Sequence, residues 1–78
     1  MTIDIITPTK KLFSGNAKRI NLPGSNGSFE MLENHAPIVA TLAAGNVIVV
    51  DDKNEQKSFE ISGGVVEQSA NKVIVLVE

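Results

Sequence analysis

One histidine and its acidic neighbour are the residues of this chain best suited to acid–base chemistry. His35 lies in the segment Glu33-Asn34-His35-Ala36-Pro37. Its imidazole could act as a general base beside the Glu33 carboxylate, or it could contact a partner. The chain has no cysteine and no second histidine that could complete a catalytic group. We therefore expect no catalytic residue, and a hydrogen-bonded loop histidine is the simpler interpretation.

A glycine-rich segment and a lysine-bearing loop are two further candidate sites. The segment Gly24-Ser25-Asn26-Gly27-Ser28 could cradle a phosphate, but it lacks the Lys-Ser/Thr ending of a phosphate-binding loop. A tight turn explains it as well. Lys53 follows two aspartates at the tip of a predicted hairpin, which is where lipoyl and biotinyl carrier domains present a lysine. A solvated turn is the alternative there.

The composition excludes several classes of protein. Without cysteine, the chain forms no disulfide, thiolate zinc site or iron–sulfur cluster, and a single histidine leaves no multi-histidine metal cage. We expect no metal, no cofactor and no small-molecule ligand. A net charge of −2 and three aromatic residues, all Phe, argue against nucleic-acid binding. A chain of 78 residues has a marginal core, so a protein partner is the stabiliser that remains.

The elements that must position these residues are strands. Eight Ile and nine Val make up about half of the apolar residues, and β-branched side chains favour pleated strands. Turn-forming residues recur at short intervals, which is typical of an all-β sandwich or barrel. The pattern predicts strands over 2–7, 17–22, 28–32, 47–51, 57–61, 64–69 and 72–77, with Ser14-Gly15-Asn16 as a turn.

Residues 36–45 are ambiguous by local rules. Asn34 could cap a short helix that begins near Pro37 and ends at Gly45. Ile38 and Val39 are β-branched, however, and favour a strand.

Two predicted strands are apolar on both faces. Residues 47–50 read Val-Ile-Val-Val, and residues 73–77 read Val-Ile-Val-Leu-Val. One face of each strand must enter the core. The other face lies under more of the same chain or forms a binding surface.

The middle of the chain carries a more specific pattern. Positions 22–37 read Leu-Pro-Gly-x-x-Gly-x-Phe-x-x-Leu-x-x-His-Ala-Pro. This pattern resembles the signature of the epsilon-subunit family of F-type ATP synthases, called delta in mitochondria. Further family-like motifs cover nearly the whole chain in order: Ile3-Asp4-Ile5-Ile6-Thr7-Pro8, Leu12-Phe13-Ser14-Gly15, Leu42-x-x-Gly45, Ser62-Gly63-Gly64-Val65-Val66-Glu67 and Asn71-Lys72-Val73-Ile74-Val75-Leu76.

The resemblance implies one domain over residues 1–78 with a ten-stranded β-sandwich, or flattened barrel, in which 38–42 is a strand. It also implies a non-catalytic subunit of the central stalk that clamps gamma to the c-ring, so that rotation couples proton flow to ATP synthesis. Its expected location is peripheral, on the cytoplasmic side of a bacterial cell membrane. A carrier domain modified at Lys53 and a generic β-sandwich interaction module are the alternatives.

The resemblance further assigns two sets of contact residues. The residues expected to face the c-ring are Gly24, Asn26, Gly27, Ser28, Glu33 and His35. Those expected to face gamma are Thr7, Leu42, Gly45, Asn46 and Val75.

Two departures from the family pattern matter. Family members commonly continue into a C-terminal helical hairpin that can inhibit ATP hydrolysis. This sequence stops at Glu78, so the expectation is a subunit that lacks that hairpin. The position after Gly27 is often acidic in the family, whereas here it is Ser28, with Glu30 two residues on.

Overall fold

The computed structural model describes all of residues 1–78 and contains nine strands. They are β1 (Thr2–Ile6), β2 (Lys11–Asn16), β3 (Arg19–Gly24), β4 (Gly27–Leu32), β5 (Ile38–Leu42), β6 (Gly45–Val50), β7 (Gln56–Ile61), β8 (Gly64–Ser69) and β9 (Lys72–Val77). No helix long and apolar enough to cross a lipid bilayer is present.

The strands form two layers that are continuous at one corner. The five-stranded layer has the order β2-β1-β9-β8-β5, and the four-stranded layer has the order β4-β3-β6-β7. All pairs are antiparallel except β1 and β9. The layers join where Gly24 of β3 pairs with Leu42 of β5. The predicted all-β sandwich, or flattened barrel, is therefore confirmed.

Alternation along the strands fills the space between the layers. Ile3, Ile5 and Val75 point inward from the five-stranded layer, and Ile20 and Leu22 oppose them from the other; all five are fully buried. Fifteen buried apolar residues form a single cluster. The outward positions of the same strands are left to solvent or to a partner.

Side chains rather than backbone close the opposite corner. The Phe13 ring of β2 packs against the Phe59 ring of β7, with centroids 5.8 Å apart and planes tilted by 57°. The Lys57 ammonium lies 5.5 Å from the centre of the Phe13 ring, a distance at which a cation and a ring attract. No β2–β7 strand pairing exists, so the barrel is closed by backbone on one side only.

The structure tests three of the expectations about individual strands and turns. Strand β5 spans 38–42 as expected, which resolves the ambiguous stretch in favour of a strand. The strand count is nine, not ten. The predicted turn at Ser14-Gly15-Asn16 is wrong, because these residues belong to β2 and pair with β1. A Cβ at Gly15 would lie 3.3 Å from the Phe13 ring, so this glycine makes room for an aromatic side chain.

The β8–β9 hairpin turns at Ala70-Asn71, where both residues have positive φ (50° and 59°). Two positive φ values are typical of a type I′ turn, whose twist matches that of the strands. The Asn71 side-chain oxygen also accepts a hydrogen bond from the Asn34 backbone N–H at 2.9 Å. The turn therefore also anchors the loop that connects β4 to β5.

Candidate docking surfaces

The loops collect at two ends of the sandwich. At the first, here called the upper end, the Ala43 N–H donates to the Pro23 carbonyl at 2.8 Å and the Glu78 N–H to the Gly63 carbonyl at 3.1 Å. At the lower end, the Lys18 N–H donates to the Val50 carbonyl at 2.9 Å.

Most residues expected to face gamma lie at the upper end. Thr7 follows β1, Leu42 ends β5, and Gly45 and Asn46 begin β6. Thr7 and Gly45 share a surface groove of about 570 Å³. Val75 does not join them, because its side chain is fully buried in the core. Any contact made by β9 falls instead to its outward neighbours.

Gly45 packs against its own chain. A Cβ at this position would lie 2.7 Å from the Pro23 Cβ, which is too close for any side chain without movement of the backbone. A side chain at Gly45 would therefore disturb the domain itself, whatever partner it faces.

The residues expected to face the c-ring separate into two groups. Gly24, Asn26, Gly27 and Ser28 lie in or beside the β3–β4 turn at the upper end. Glu33 and His35 follow the far end of β4, which at the usual rise per residue lies roughly 17 Å away. The two groups are linked only by the length of β4, whose outer edge pairs with no other strand.

Glu33 and His35 do not act on each other. A Glu33 carboxylate oxygen accepts a hydrogen bond from the Met1 ammonium at 2.7 Å, and that ammonium is buried. The His35 Nδ1 lies 2.7 Å from the Ala36 carbonyl oxygen on an exposed loop. The structure thus shows a hydrogen-bonded loop histidine without an acid–base pair.

The Lys53 loop is a solvated turn. One Asp51 carboxylate oxygen accepts hydrogen bonds from the Lys53 and Glu55 backbone N–H groups at 2.8 and 2.9 Å. This arrangement explains Asp51, two residues before the lysine, as a turn stabiliser. No group of three or more His, Cys, Asp or Glu side chains converges anywhere in the molecule.

The outer face of the five-stranded layer carries large aliphatic side chains among polar ones. Val39, Val65 and Leu76 are 71%, 39% and 53% exposed. The register places Thr41 beside Val65, Val65 beside Leu76, and Leu76 beside Ile6. Val65, Leu76 and Ile6 therefore form a row across β8, β9 and β1, and Ile74 lies beside it on β9. Val39 lies on the same face at the edge strand β5, where it pairs with the exposed Glu67. The apolar face is here defined by Ile6, Val39, Val65, Ile74 and Leu76.

In the sequence, a binding face was suggested by two predicted strands that are apolar on both faces. For β9 the outward face is not covered by the rest of the chain, because Leu76 points outward and is exposed, and the binding-surface interpretation stays a prediction. For β6 the internal interpretation holds, because Val50 is buried and Ile48 half-buried. Sequence reasoning missed Val39 and Val65, because each has an apolar neighbour on the opposite face, Ile38 and Val66, and the pattern does not say which of the two points outward.

The class that the fold defines is an all-β sandwich with exposed aliphatic side chains on one layer. Residues 1–78 match the model of the family described as ATP synthase, Delta/Epsilon chain, beta-sandwich domain. The chain therefore belongs to the delta/epsilon family of ATP synthase subunits. Family membership makes it a non-catalytic epsilon-type subunit of the central stalk, and it decides against the carrier-domain alternative.

Curated relatives support this assignment. The ATP synthase epsilon chain of Chlorobaculum tepidum is 43% identical over 77 residues, which cover 99% of this chain and 88% of the relative. That of Chlorobium limicola is 44% identical, with 97% and 86% covered. The Salinibacter ruber epsilon chain is 41% identical, but this chain spans only 58% of it.

Solved structures show the same fold. A chain of the Euglena gracilis mitochondrial ATP synthase, in a structure described as OSCP/F1/c-ring, superposes with a TM-score of 0.90 at 18% identity. The match covers 96% of this chain and 48% of that one. A chain of the Tetrahymena thermophila central stalk/c-ring structure gives 0.77 at 22% identity, with 97% and 61% covered.

Proposed function

We propose that this subunit holds gamma against the c-ring, so that rotation of the ring is transmitted to the catalytic head without slipping. The observation that carries the proposal is the apolar face of the five-stranded layer. Monomeric domains seldom leave a contiguous row of large aliphatic side chains in water unless a partner covers it. We take gamma as the partner, because the resemblance to the epsilon family implies a place beside gamma in the central stalk.

The apolar face has the composition of a protein interface. Val65 and Leu76 form its centre, and fully burying each side chain is worth about 1.5–3 kcal/mol. Charged residues surround the centre, including Asp4, whose carboxylate lies 3.9 Å from the Lys11 ammonium. An apolar centre with a polar rim is the usual arrangement of a stable contact.

The c-ring contact is of a different kind. Ser28 and Glu30 alternate along β4 and are both exposed, and Asn26 lies in the adjoining turn. We place the polar loops of the ring along this strand, which also connects the two separated groups of expected ring residues. Exposed polar contacts of this type contribute little each and weaken with salt. The ring contact is therefore weaker than the gamma contact.

We also propose a peripheral position at the cytoplasmic side of a bacterial membrane, reached through the c-ring. The strands and their loops account for residues 1–78, and no helix occurs among them. These residues by themselves therefore supply no helix for insertion into the catalytic head, and the role proposed for them is coupling.

The test is reconstitution with directed cross-linking. Cysteine at Val65 should form a disulfide with a cysteine on gamma, and cysteine at Ser28 with one on a ring loop, in assembled enzyme. Cysteine at Ser58, on the opposite outer face, is the matched control and should react with neither.

Activity measurements complete the test. Proton-driven ATP synthesis should fall when the subunit is left out, whereas ATP hydrolysis by the catalytic head should change little when residues 1–78 are added. Exchange of the two cross-linking partners would overturn the proposed orientation.

A further inference from the structure

The sheet leaves four strand edges without full pairing, and one of them lacks any protection. Edge strands usually carry charged side chains that discourage further pairing. Lys11 lies on β2, Glu30 on β4, and Lys57 and Glu60 on β7. Strand β5 reads Ile-Val-Ala-Thr-Leu and has no charge at all. Its Val39 is also the most exposed large apolar residue of the chain.

The unpaired part of β5 presents backbone groups at Val39. Along one edge, β5 pairs with β8 at every residue. Along the other edge, it pairs with β3 only at Leu42, and the Thr41 carbonyl accepts a hydrogen bond from the Ser25 N–H at 3.0 Å. Backbone groups alternate between the edges of a strand. The N–H and C=O of Val39 therefore point to the same side as the Thr41 carbonyl and have no partner there.

This edge opens into a groove of about 440 Å³. The groove lies between β5 and the β3–β4 hairpin, and Phe29 forms part of the opposite wall. It closes at Gly24, where a Cβ would lie 2.6 Å from the Gly27 carbonyl and 2.8 Å from the Phe29 ring. A strand edge facing an aromatic wall offers main-chain hydrogen bonds together with an apolar contact.

We propose that β5 binds an extended segment of gamma by strand addition, with main-chain hydrogen bonds to Val39. This inference rests on the proposed function, because the edge is continuous with the apolar face through Val39 itself. The segment pairs with the backbone of β5, and its alternate side chains contact Phe29 and the apolar face. The subunit thereby extends its five-stranded layer by one strand supplied by its partner.

A second copy of this chain fits the groove poorly. The free edge is limited to about three residues, between the β3–β4 hairpin at one end and the 33–37 loop at the other. A second copy would bring its own hairpin, which lies beside the same edge, into that space. A single extended segment avoids this clash.

Proline substitution separates backbone pairing from side-chain contact. Val39→Pro keeps an apolar side chain but removes the N–H on the free edge, not one that pairs with β8. We expect affinity for gamma, within the soluble catalytic head, to fall about tenfold or more. Val39→Ala should lower it no more than about threefold. Ser58→Pro, an edge substitution on β7, is the matched control and should leave affinity unchanged. Thermal melts establish that each variant folds.

Amide hydrogen exchange provides a second measurement that needs no variant. In the free domain, the Val39 N–H should exchange quickly while the neighbouring Ala40 N–H, paired with β8, exchanges slowly. In the complex, the Val39 N–H should exchange as slowly as that of Ala40.

The outcomes separate the two proposals. An unaltered chain that fails to bind gamma overturns the proposed function. Normal binding with an unprotected Val39 N–H, or a Val39→Pro variant equal to Val39→Ala, overturns strand addition alone. A concentration-dependent homodimer that Val39→Pro abolishes overturns it in favour of self-pairing.

Discussion

The outer faces of the two layers differ although their inner faces are alike. Both layers bury Ile, Val and Leu inward. Outward, the five-stranded layer presents Val65 and Leu76 beside Asp4 and Glu67, whereas the four-stranded layer presents Arg19, Asn21 and Ser58. Leu32 is the one large exposed aliphatic residue of the four-stranded layer, and it lies at the lower end of β4. The five-stranded layer therefore carries more large apolar side chains than the domain's own core uses.

The largest effect is expected from a charged substitution on the apolar face, which tests whether the two outer faces differ in function. Leu76→Asp should weaken gamma binding by about 3–5 kcal/mol, because the carboxylate would be buried without a partner. The isolated domain should stay folded, since Leu76 is half exposed in it. Binding is measured by calorimetry, with Ser58→Asp on the other face as the control. Equal losses from both variants would mean that the apolar face has no special role.

Glycine substitutions test how closely the strands of the five-stranded layer must approach. A Cβ at Gly64 would lie 2.2 Å from the Leu76 carbonyl oxygen, so Gly64→Ala should lower the free energy of unfolding by about 2–3 kcal/mol. A Cβ at Gly27 would meet no atom within 4 Å, although φ there is 122°. Gly27→Ala should therefore cost less, about 1 kcal/mol. Urea denaturation measures both, and a reversed order would contradict the proposed cause.

The inner side of the five-stranded layer contains one polar residue. Gln68 is buried, and neither amide atom has a hydrogen-bond partner within the chain. Gln68→Met removes an unpaired polar group at nearly constant volume and should raise the free energy of unfolding by about 1–2 kcal/mol. Glu67→Gln, on the exposed side of the same strand, should change it by less than about 0.5 kcal/mol. A loss of stability in Gln68→Met would show that the amide is satisfied in solution.

The smallest expected effect concerns the β8–β9 turn. Ala70 has a φ of 50°, a conformation that disfavours residues with a Cβ and suits glycine. Ala70→Gly should therefore raise the free energy of unfolding by about 0.5 kcal/mol, the strain relieved being partly offset by backbone entropy. Asn71→Ala should act in the opposite direction, since it removes the acceptor of the Asn34 N–H. Thermal denaturation of the two variants checks both signs.

Local patterns predicted most of the strands because alternation and turn residues act over a few positions. Strands β8 and β9 and the β5 span agree with the sequence expectations. Strand β2 was missed because Ser14-Gly15-Asn16 carries turn-forming residues. Its pairing with β1 and the Phe13–Phe59 contact override that local preference. Such contacts join residues far apart in the chain, so no local window contains them.

The amino-acid sequence alone indicated the all-β class and the family, and it offered no set of residues suited to catalysis. Composition and ordered motifs are properties of the chain alone. Tertiary structure decided which face each residue occupies. It placed Val75 in the core and Leu76 outside, and it put Glu33 roughly a strand length from Gly27. Exposure and proximity depend on which strands pair across the fold, and pairing is settled by the packing of the whole domain.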